Sequence, residues 1–305
     1  MKTGADAQLT TVRFSHAPSR PKLLLMVRLL EKIHELLQNE GTVTQRELYY
    51  QMSLQCKQNT MGIALRDVCS LLDASPWELG ILSSGKGLVS GPLLIHMPHS
   101  TVDCSQRGGV LIPSDVVKVT KLESNAKFVL LVEKDAIFQK LVIDENIHEH
   151  LGPLIVITGK GFPDIGTRQL VRAIWDHLGI PILALVDADP HGLEIMCVYR
   201  FGSMSKSDLP HLTVPAIRWL GIHPTDITEL LLPQSSLKPL TDADKKKAEQ
   251  LLQKPYILQS PALKRQIEAL QRIGKKAEIE DVGNIKNAYL TDVYLPFKIS
   301  SKQYL

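Results

Sequence analysis

Two of the most apolar stretches of the chain end in acids: Phe128-Val-Leu-Leu-Val132 runs into Glu133, and Ile182-Leu-Ala-Leu-Val186 runs into Asp187-Ala188-Asp189. Between them lie a helical pattern from Ala136 to His148, a third apolar run from Leu154 to Ile157, and a second helical pattern from Thr167 to His177. Strand alternating with helix predicts right-handed crossovers and a parallel sheet. The strands lack period-two polarity, which predicts helices on both faces. Carboxylates do not stabilise the end of a buried strand. In an open parallel sheet ligands sit just outside the carboxyl ends of the strands, so three acids delivered there suit a hard cation such as magnesium. Such a site points to phosphoryl-transfer chemistry.

A structural reading competes at Asp189, because Asp189-Pro190 also has the form of a helix N-cap followed by Pro at the first helical position. The same tripeptide recurs as Asp242-Ala243-Asp244 before a lysine-rich helix, where acids merely suit the macrodipole. Context separates the two copies. Only Asp187 and Asp189 follow a buried strand, and only they have a partner strand ending in an acid, Glu133.

The N-terminal part reads differently. Leu23, Val27, Leu30, Ile33, Leu36 and Leu37 recur at helical spacing, and Thr44-Gln45-Arg46-Glu47 has the form of a capping box opening a second helix. A third helix is expected over Thr60–Leu72, and Ser75-Pro76-Trp77-Glu78 marks another helix start. Ile81-Leu82 and Leu88-Val89, joined by Ser83-Ser84-Gly85-Lys86-Gly87, read as a hairpin. Three helices followed by a hairpin predict a winged helix. The resulting division is an N-terminal arm over 1–21, a winged-helix domain over 22–105, a linker over 106–122 and an α/β domain with a C-terminal helical extension over 123–305.

Two Gly-Lys-Gly turns, Gly85-Lys86-Gly87 and Gly159-Lys160-Gly161, could each bring backbone amides and an ammonium to a phosphate. Glycine turns bearing a lysine are common in any fold. Tyr49 and Tyr50 open an amphipathic helix, where tyrosines are ordinarily half-buried. A tyrosine with a reference pKa of about 10 needs a base, a cation or a metal to act as a nucleophile. Arg46, one turn before Tyr50, supplies one cation on the same face.

At 305 residues the chain is long enough for two domains, and its formal net charge of +3 means that contact with nucleic acid must come from local clusters of Lys and Arg. The four cysteines show no zinc-ligand spacing, and no signal-peptide or membrane-spanning pattern occurs. A reducing compartment, cytosol or nucleus, is expected.

Arg46-Glu47-Leu48-Tyr49-Tyr50, Leu82-Ser83-Ser84-Gly85-Lys86-Gly87-Leu88-Val89, Val132-Glu133-Lys134-Asp135, Thr158-Gly159-Lys160-Gly161-Phe162-Pro163-Asp164 and Val186-Asp187-Ala188-Asp189-Pro190-His191-Gly192 together resemble the meiotic double-strand-break transesterase family, related to the A subunit of topoisomerase VI. The resemblance runs from about Leu23 to the C-terminus, through Arg218-Trp219-Leu220-Gly221 and Tyr294-Leu295-Pro296. It implies a 5Y-CAP-like winged-helix domain followed by a Toprim domain. By motif match Tyr50 would be the nucleophile with Arg46 beside the scissile phosphate, Glu133, Asp187 and Asp189 the Mg2+ ligands, and Lys86, Phe162 and Lys160 the DNA contacts. It also implies a nuclear homodimer in which the tyrosine of one protomer works with the acids of the other. That dimer would act on double-stranded DNA with meiotic accessory proteins and a topoisomerase VIB-like subunit. The implied chemistry is strand cleavage through a covalent 5'-phosphotyrosyl intermediate, initiating homologous recombination. The alternatives are the A subunit of a type IIB topoisomerase, a Toprim nuclease without a tyrosine intermediate, and a DNA-binding scaffold without activity. Gln51-Met52-Ser53-Leu54-Gln55-Cys56-Lys57 departs from the family pattern.

Overall fold

The structure, a computed structural model, describes residues 11–52, 57–202, 212–233, 235–286 and 288–305. The chain divides into two compact units, Met1–Ser84 and Gly85–Leu305. Residues 53–56, most of the stretch that departs from the family pattern, lie outside the described residues, as does the first half of the expected arm.

The first unit contains α1 (Arg20–Gln38), β1 (Val43–Thr44), α2 (Gln45–Gln51), α3 (Gln58–Leu72), a 3-10 turn over Pro76–Leu79 and β2 (Ile81–Leu82). On α1 the face that packs is Leu25, Leu29, Ile33 and Leu36, while Val27 and Leu37 are exposed, unlike the expected stripe. A leucine-rich helix offers two overlapping stripes at i, i+3, i+4 spacing, and periodicity alone cannot choose between them. Leu48, Met61, Leu65, Val68 and Ile81 complete this core. The expected capping box of Thr44 with Glu47 forms, and the expected helix start at Ser75 opens the 3-10 turn, with Glu78 completing a second box. The expected hairpin does not. β2 pairs in parallel with β1, Val43 facing Ile81, and the strand that follows the Gly85-Lys86-Gly87 turn joins a different sheet. Leu88 and Val89 are both buried, and they find two strand partners in the second unit.

The second unit begins with β3 (Leu88–Ser90), β4 (Leu93–Met97), β5 (Ser100–Asp103), β6 (Val110–Leu111) and β7 (Lys121–Ser124). It continues with β8 (Val129–Val132), α4 (Asp135–Gln139), α5 (Ile147–Leu151), β9 (Ile155–Thr158), α6 (Ile165–Leu178), β10 (Ile182–Leu185) and α7 (Pro190–Phe201). It closes with β11 (Arg218–Gly221), α8 (Asp226–Glu229), β12 (Lys238–Pro239), α9 (Asp242–Leu252), α10 (Pro255–Leu258), α11 (Pro261–Ile273), β13 (Lys275–Lys276), α12 (Ile279–Gly283) and α13 (Leu295–Ser300). The main sheet has the order β11-β10-β8-β9-β3-β6. Its β11 to β9 strands run parallel, and β3 and β6 are added antiparallel at one edge. The stretch 106–122, expected as a linker, supplies β6 to this sheet and the start of β7 to a second, antiparallel sheet β5-β4-β7.

Successive residues of the central strands enter opposite cores. Val129, Leu131, Ile155 and Ile157 join one apolar cluster, whereas Leu130, Val132, Val156 and Leu185 join the other. This is the physical reason for apolar runs without alternation. The single helix expected from Ala136 to His148 is instead α4, a π-helical turn over Lys140–Asp144, and α5. Asn146 breaks it with φ +42, a left-handed conformation that Asn tolerates better than most residues. Among the described residues no helix is long and apolar enough to cross a membrane.

Candidate active site

In the first unit α2 presents Arg46 and Tyr50 to solvent. Tyr50 is 64% exposed, while Tyr49 is partly buried against the core of this unit. The two rings meet edge to face, 5.5 Å apart. Glu47 is occupied by its cap: its carboxylate accepts from the Thr44 amide at 2.9 Å and the Thr44 hydroxyl at 2.8 Å. Those bonds hold its pKa below the ordinary value. Arg46 is left as the exposed charge on the turn preceding Tyr50.

In the second unit the parallel register sets Val132 beside Leu185 and Thr158, so the residues following β8, β9 and β10 emerge along one sheet edge. Glu133 is tied to both neighbours: its amide donates to Leu185 O at 3.2 Å and its carbonyl accepts from Gly161 at 2.8 Å. Its Oε2 accepts the Asp187 amide at 2.9 Å. Asp187 is only 4% exposed. Its Oδ1 accepts from the Ile279 amide and its Oδ2 pairs with Lys134 Nζ, both at 2.9 Å. Burial and the charge of Asp187 push the Glu133 carboxyl up to about 8, and burial pushes Asp187 up to about 6. Burial alone would lower the Lys134 ammonium, but Asp187 and Glu280 outweigh it and hold it above the ordinary lysine range.

Asp189 caps α7, its Oδ1 accepting from the Gly192 amide at 2.7 Å, which is the structural role open to it from sequence. Its Oδ2 lies 3.9 Å from Lys276 Nζ. Gly192 lets the first turn of α7 come close to the acids, since a β-carbon there would stand 2.8 Å from Glu133 Oε2 and 2.6 Å from Asp187 O. Among the described residues no three His, Cys, Asp or Glu side chains converge as a ready cation cluster. The reason is local: Asp187 is held by Lys134 and Ile279, and one oxygen of Asp189 is committed to its helix.

Sequence reasoning missed the opposite wall. Lys134 bridges Asp187, Glu278 at 3.3 Å and Glu280 at 3.1 Å, and Lys276 bridges Asp189 and Asp244, the latter at 2.8 Å. Asp244 does stand at a helix start, as expected, and it forms a capping box with Thr241. Lys134 could have been flagged by its place directly after Glu133; nothing local marks Lys276 or Glu280.

The two Gly-Lys-Gly turns are brought together by Asp164. Its Oδ2 accepts from the Lys86 amide at 2.9 Å and the Gly87 amide at 3.3 Å, and its Oδ1 caps α6 through the Thr167 amide at 2.8 Å. Lys86 Nζ donates to Lys160 O at 3.0 Å, and Lys160 Nζ pairs with Asp135 at 3.1 Å. Phe162, 45% exposed, stands on the same loop. The expected amide cradle is absent, because the amides of Lys160 and Gly161 are spent on Thr158 and the Glu133 carbonyl. What these turns offer solvent is ammonium groups and an aromatic ring, not a nest of amides.

The family model for the Toprim domain of Spo11 and the topoisomerase 6 A subunit matches residues 128–299, and that of the type IIB DNA topoisomerases matches residues 21–81. The chain is 42% identical to the meiotic recombination protein SPO11 of Homo sapiens across 92% of this chain and 72% of that protein. It is 38% identical to the meiotic recombination protein W68 of Drosophila melanogaster, across 96% and 87% respectively. It is 36% identical to the A3 form of the DNA topoisomerase 6 A subunit of Oryza sativa subsp. indica, across 96% and 66%.

Proposed function

The chain belongs to the family of Spo11 and the topoisomerase 6 A subunit, and from that premise we propose that it is a DNA-cleaving transesterase that makes meiotic double-strand breaks and so initiates homologous recombination. The observation that carries this reading is similarity to meiotic recombination proteins at about 40% identity along nearly the whole chain. The exposure of Tyr50, against the packing of Tyr49, supports it as the nucleophile.

In this reading Tyr50 Oη attacks a backbone phosphorus, its proton passing to a base or to water. The bond from phosphorus to the 3' oxygen breaks, that oxygen takes up a proton from solvent to become a 3' hydroxyl, and the 5' phosphate remains on Tyr50. One phosphodiester replaces another, so no external energy source is needed. Arg46, one turn away, holds the phosphate. The acid site fits a divalent cation: its donors are carboxylate oxygens, as magnesium prefers, and burial with the neighbouring Asp187 charge raises the Glu133 carboxyl, a penalty that a bound cation would relieve. Glu133, Asp187 and Asp189 would hold Mg2+, which when bound neutralises the phosphate and the leaving oxygen. Lys86 and Lys160 meet the backbone electrostatically while Phe162 packs on sugar or base.

The tyrosine-bearing first unit acts as a winged-helix module through α1–α3, without the hairpin. Two copies of the chain assemble so that each Tyr50 serves the acids of the other, their partner is a topoisomerase VIB-like protein, and the nucleus is the place of work. The test is recovery of the protein from meiotic cells followed by end-labelling of attached oligonucleotides. Label is expected for the native chain and absent for Tyr50→Phe, while DNA binding persists; label retained by Tyr50→Phe refutes the assignment. The relatives named for the A subunit of DNA topoisomerase 6 favour a second reading, a component of an enzyme that rejoins its ends. Duplex relaxation by the assembled complex would distinguish it.

A further inference from the structure

Lys134 sits where a cation is wanted, one residue after Glu133 and in contact with Asp187. Its ammonium lies 2.9 Å from Asp187 Oδ2, 3.3 Å from Glu278 Oε2 and 3.1 Å from Glu280 Oε2. The two glutamates stand at the N-terminal end of α12, whose Ile279 amide holds the other oxygen of Asp187. An isolated Glu133–Asp187 pair with a buried aspartate would be strongly unfavourable without a positive charge. Lys134 supplies that charge from within the chain. It is also the group that a divalent cation must contend with, because both seek Asp187 Oδ2 and repel one another.

We propose that Lys134 is the resident counter-ion of the acid site, holding Asp187 while no divalent cation is bound and passing to Glu278 and Glu280 when one takes the carboxylate. The transfer requires no large motion, since both glutamates already lie within ion-pair distance. Glu278 is steadied by a second lysine, Lys238, on its other oxygen. The segment from Lys276 to Glu280 thereby belongs to the metal centre. Lys276 makes the parallel contact at Asp189, with Asp244 as its stronger partner. Lys134 in this role is a positioning residue, acting through Asp187 rather than on DNA.

This inference rests on the reading of Glu133, Asp187 and Asp189 as cation ligands and gives it a sign. If Lys134 competes with the cation, removing it tightens binding; if it only orients Asp187, removing it weakens binding. The experiment titrates the full chain, without DNA, with Mn2+ followed by electron paramagnetic resonance and with Mg2+ by calorimetry. The proteins are wild type, Lys134→Met, Glu278→Gln/Glu280→Gln and Glu133→Gln. Expected are binding about tenfold tighter for Lys134→Met, from relief of like-charge repulsion, and several-fold weaker for the double glutamine variant, in which the displaced ammonium has lost its acceptors. Lys134→Met should also melt below wild type in chelator, with the gap closing at saturating Mg2+. Unchanged or weaker binding by a folded Lys134→Met overturns the proposal. So does unchanged affinity in the double variant, which decides the matter if Lys134→Met does not fold. Wild type that binds no more cation than Glu133→Gln overturns the metal reading itself and this inference with it.

Discussion

Gly192 shows how much one missing side chain decides. In the first turn of a helix, replacing Gly by Ala ordinarily gains up to about 1 kcal/mol. Here the added methyl would stand 2.6 Å from Asp187 O and 2.8 Å from Glu133 Oε2. Neither neighbour can give way freely, because one is backbone and the other is fixed by the Asp187 amide. Gly192→Ala is therefore expected to destabilise by about 1–3 kcal/mol, read as a fall of several degrees in thermal midpoint, and to abolish the Mg2+-dependent rise in that midpoint. A variant as stable as wild type would show that the approach of α7 to the acids is looser than the structure has it. The pair Tyr49 and Tyr50 makes the complementary point: residue type is the same, and burial distinguishes the two.

The C-terminal helix illustrates the scale of an element. α13 is fixed to the first residue of α8 by a buried network in which Lys298 Nζ pairs with Asp226 Oδ1 at 2.7 Å, and Tyr294 Oη donates to Asp226 Oδ2 at 2.6 Å. His223 lies between them, its Nε2 3.0 Å from Trp219 O and its Nδ1 3.3 Å from Lys298 Nζ. The carbonyl can only accept, so the hydrogen is on Nε2 and Nδ1 accepts from Lys298. Burial and the neighbouring Lys298 charge push His223 down to about 4, against the charge of Asp226. A histidine depressed in the folded state contributes stability that is present above its unfolded pKa of about 6.5 and lost as pH falls towards 4, on the order of 3 kcal/mol. Denaturant unfolding at pH 7 and pH 4.5 should show this loss in wild type and a smaller loss in His223→Gln; equal pH dependence in the two would contradict it. Lys298→Met leaves Asp226 buried without its ion partner and is expected to cost about 3–5 kcal/mol in the same measurement.

At the scale of the molecule, what was legible from sequence follows the range of the interactions. The three parallel strands, their terminal acids and the N-caps at Thr44 and Asp189 are local, and each appears as read. The hairpin failed because Leu88 and Val89 are claimed by β9 and β6, a choice made by residues some twenty and seventy positions away that no local pattern encodes. The lysines of the acid site were missed for the same reason: Lys276 reaches Asp189 only through the pairing of β12 with β13 and the bridge from Ala188 to Ala277. Lys86, Lys160 and Phe162 were individually weak signals, and Asp164 makes the two turns neighbours. The central claim concerns the two units, one carrying Tyr50 and the other the acids, and holds that a working site is assembled from two copies of the chain. The most direct measurement coexpresses Tyr50→Phe with Glu133→Gln in meiotic cells and end-labels the DNA attached to each. Alone, neither variant should capture DNA. Together they should restore covalent attachment to the Glu133→Gln chain only, as nicks in one strand, because its Tyr50 can use the acids of its partner. Absence of any attachment in the mixture, with both variants folded and coassembled, would contradict the account.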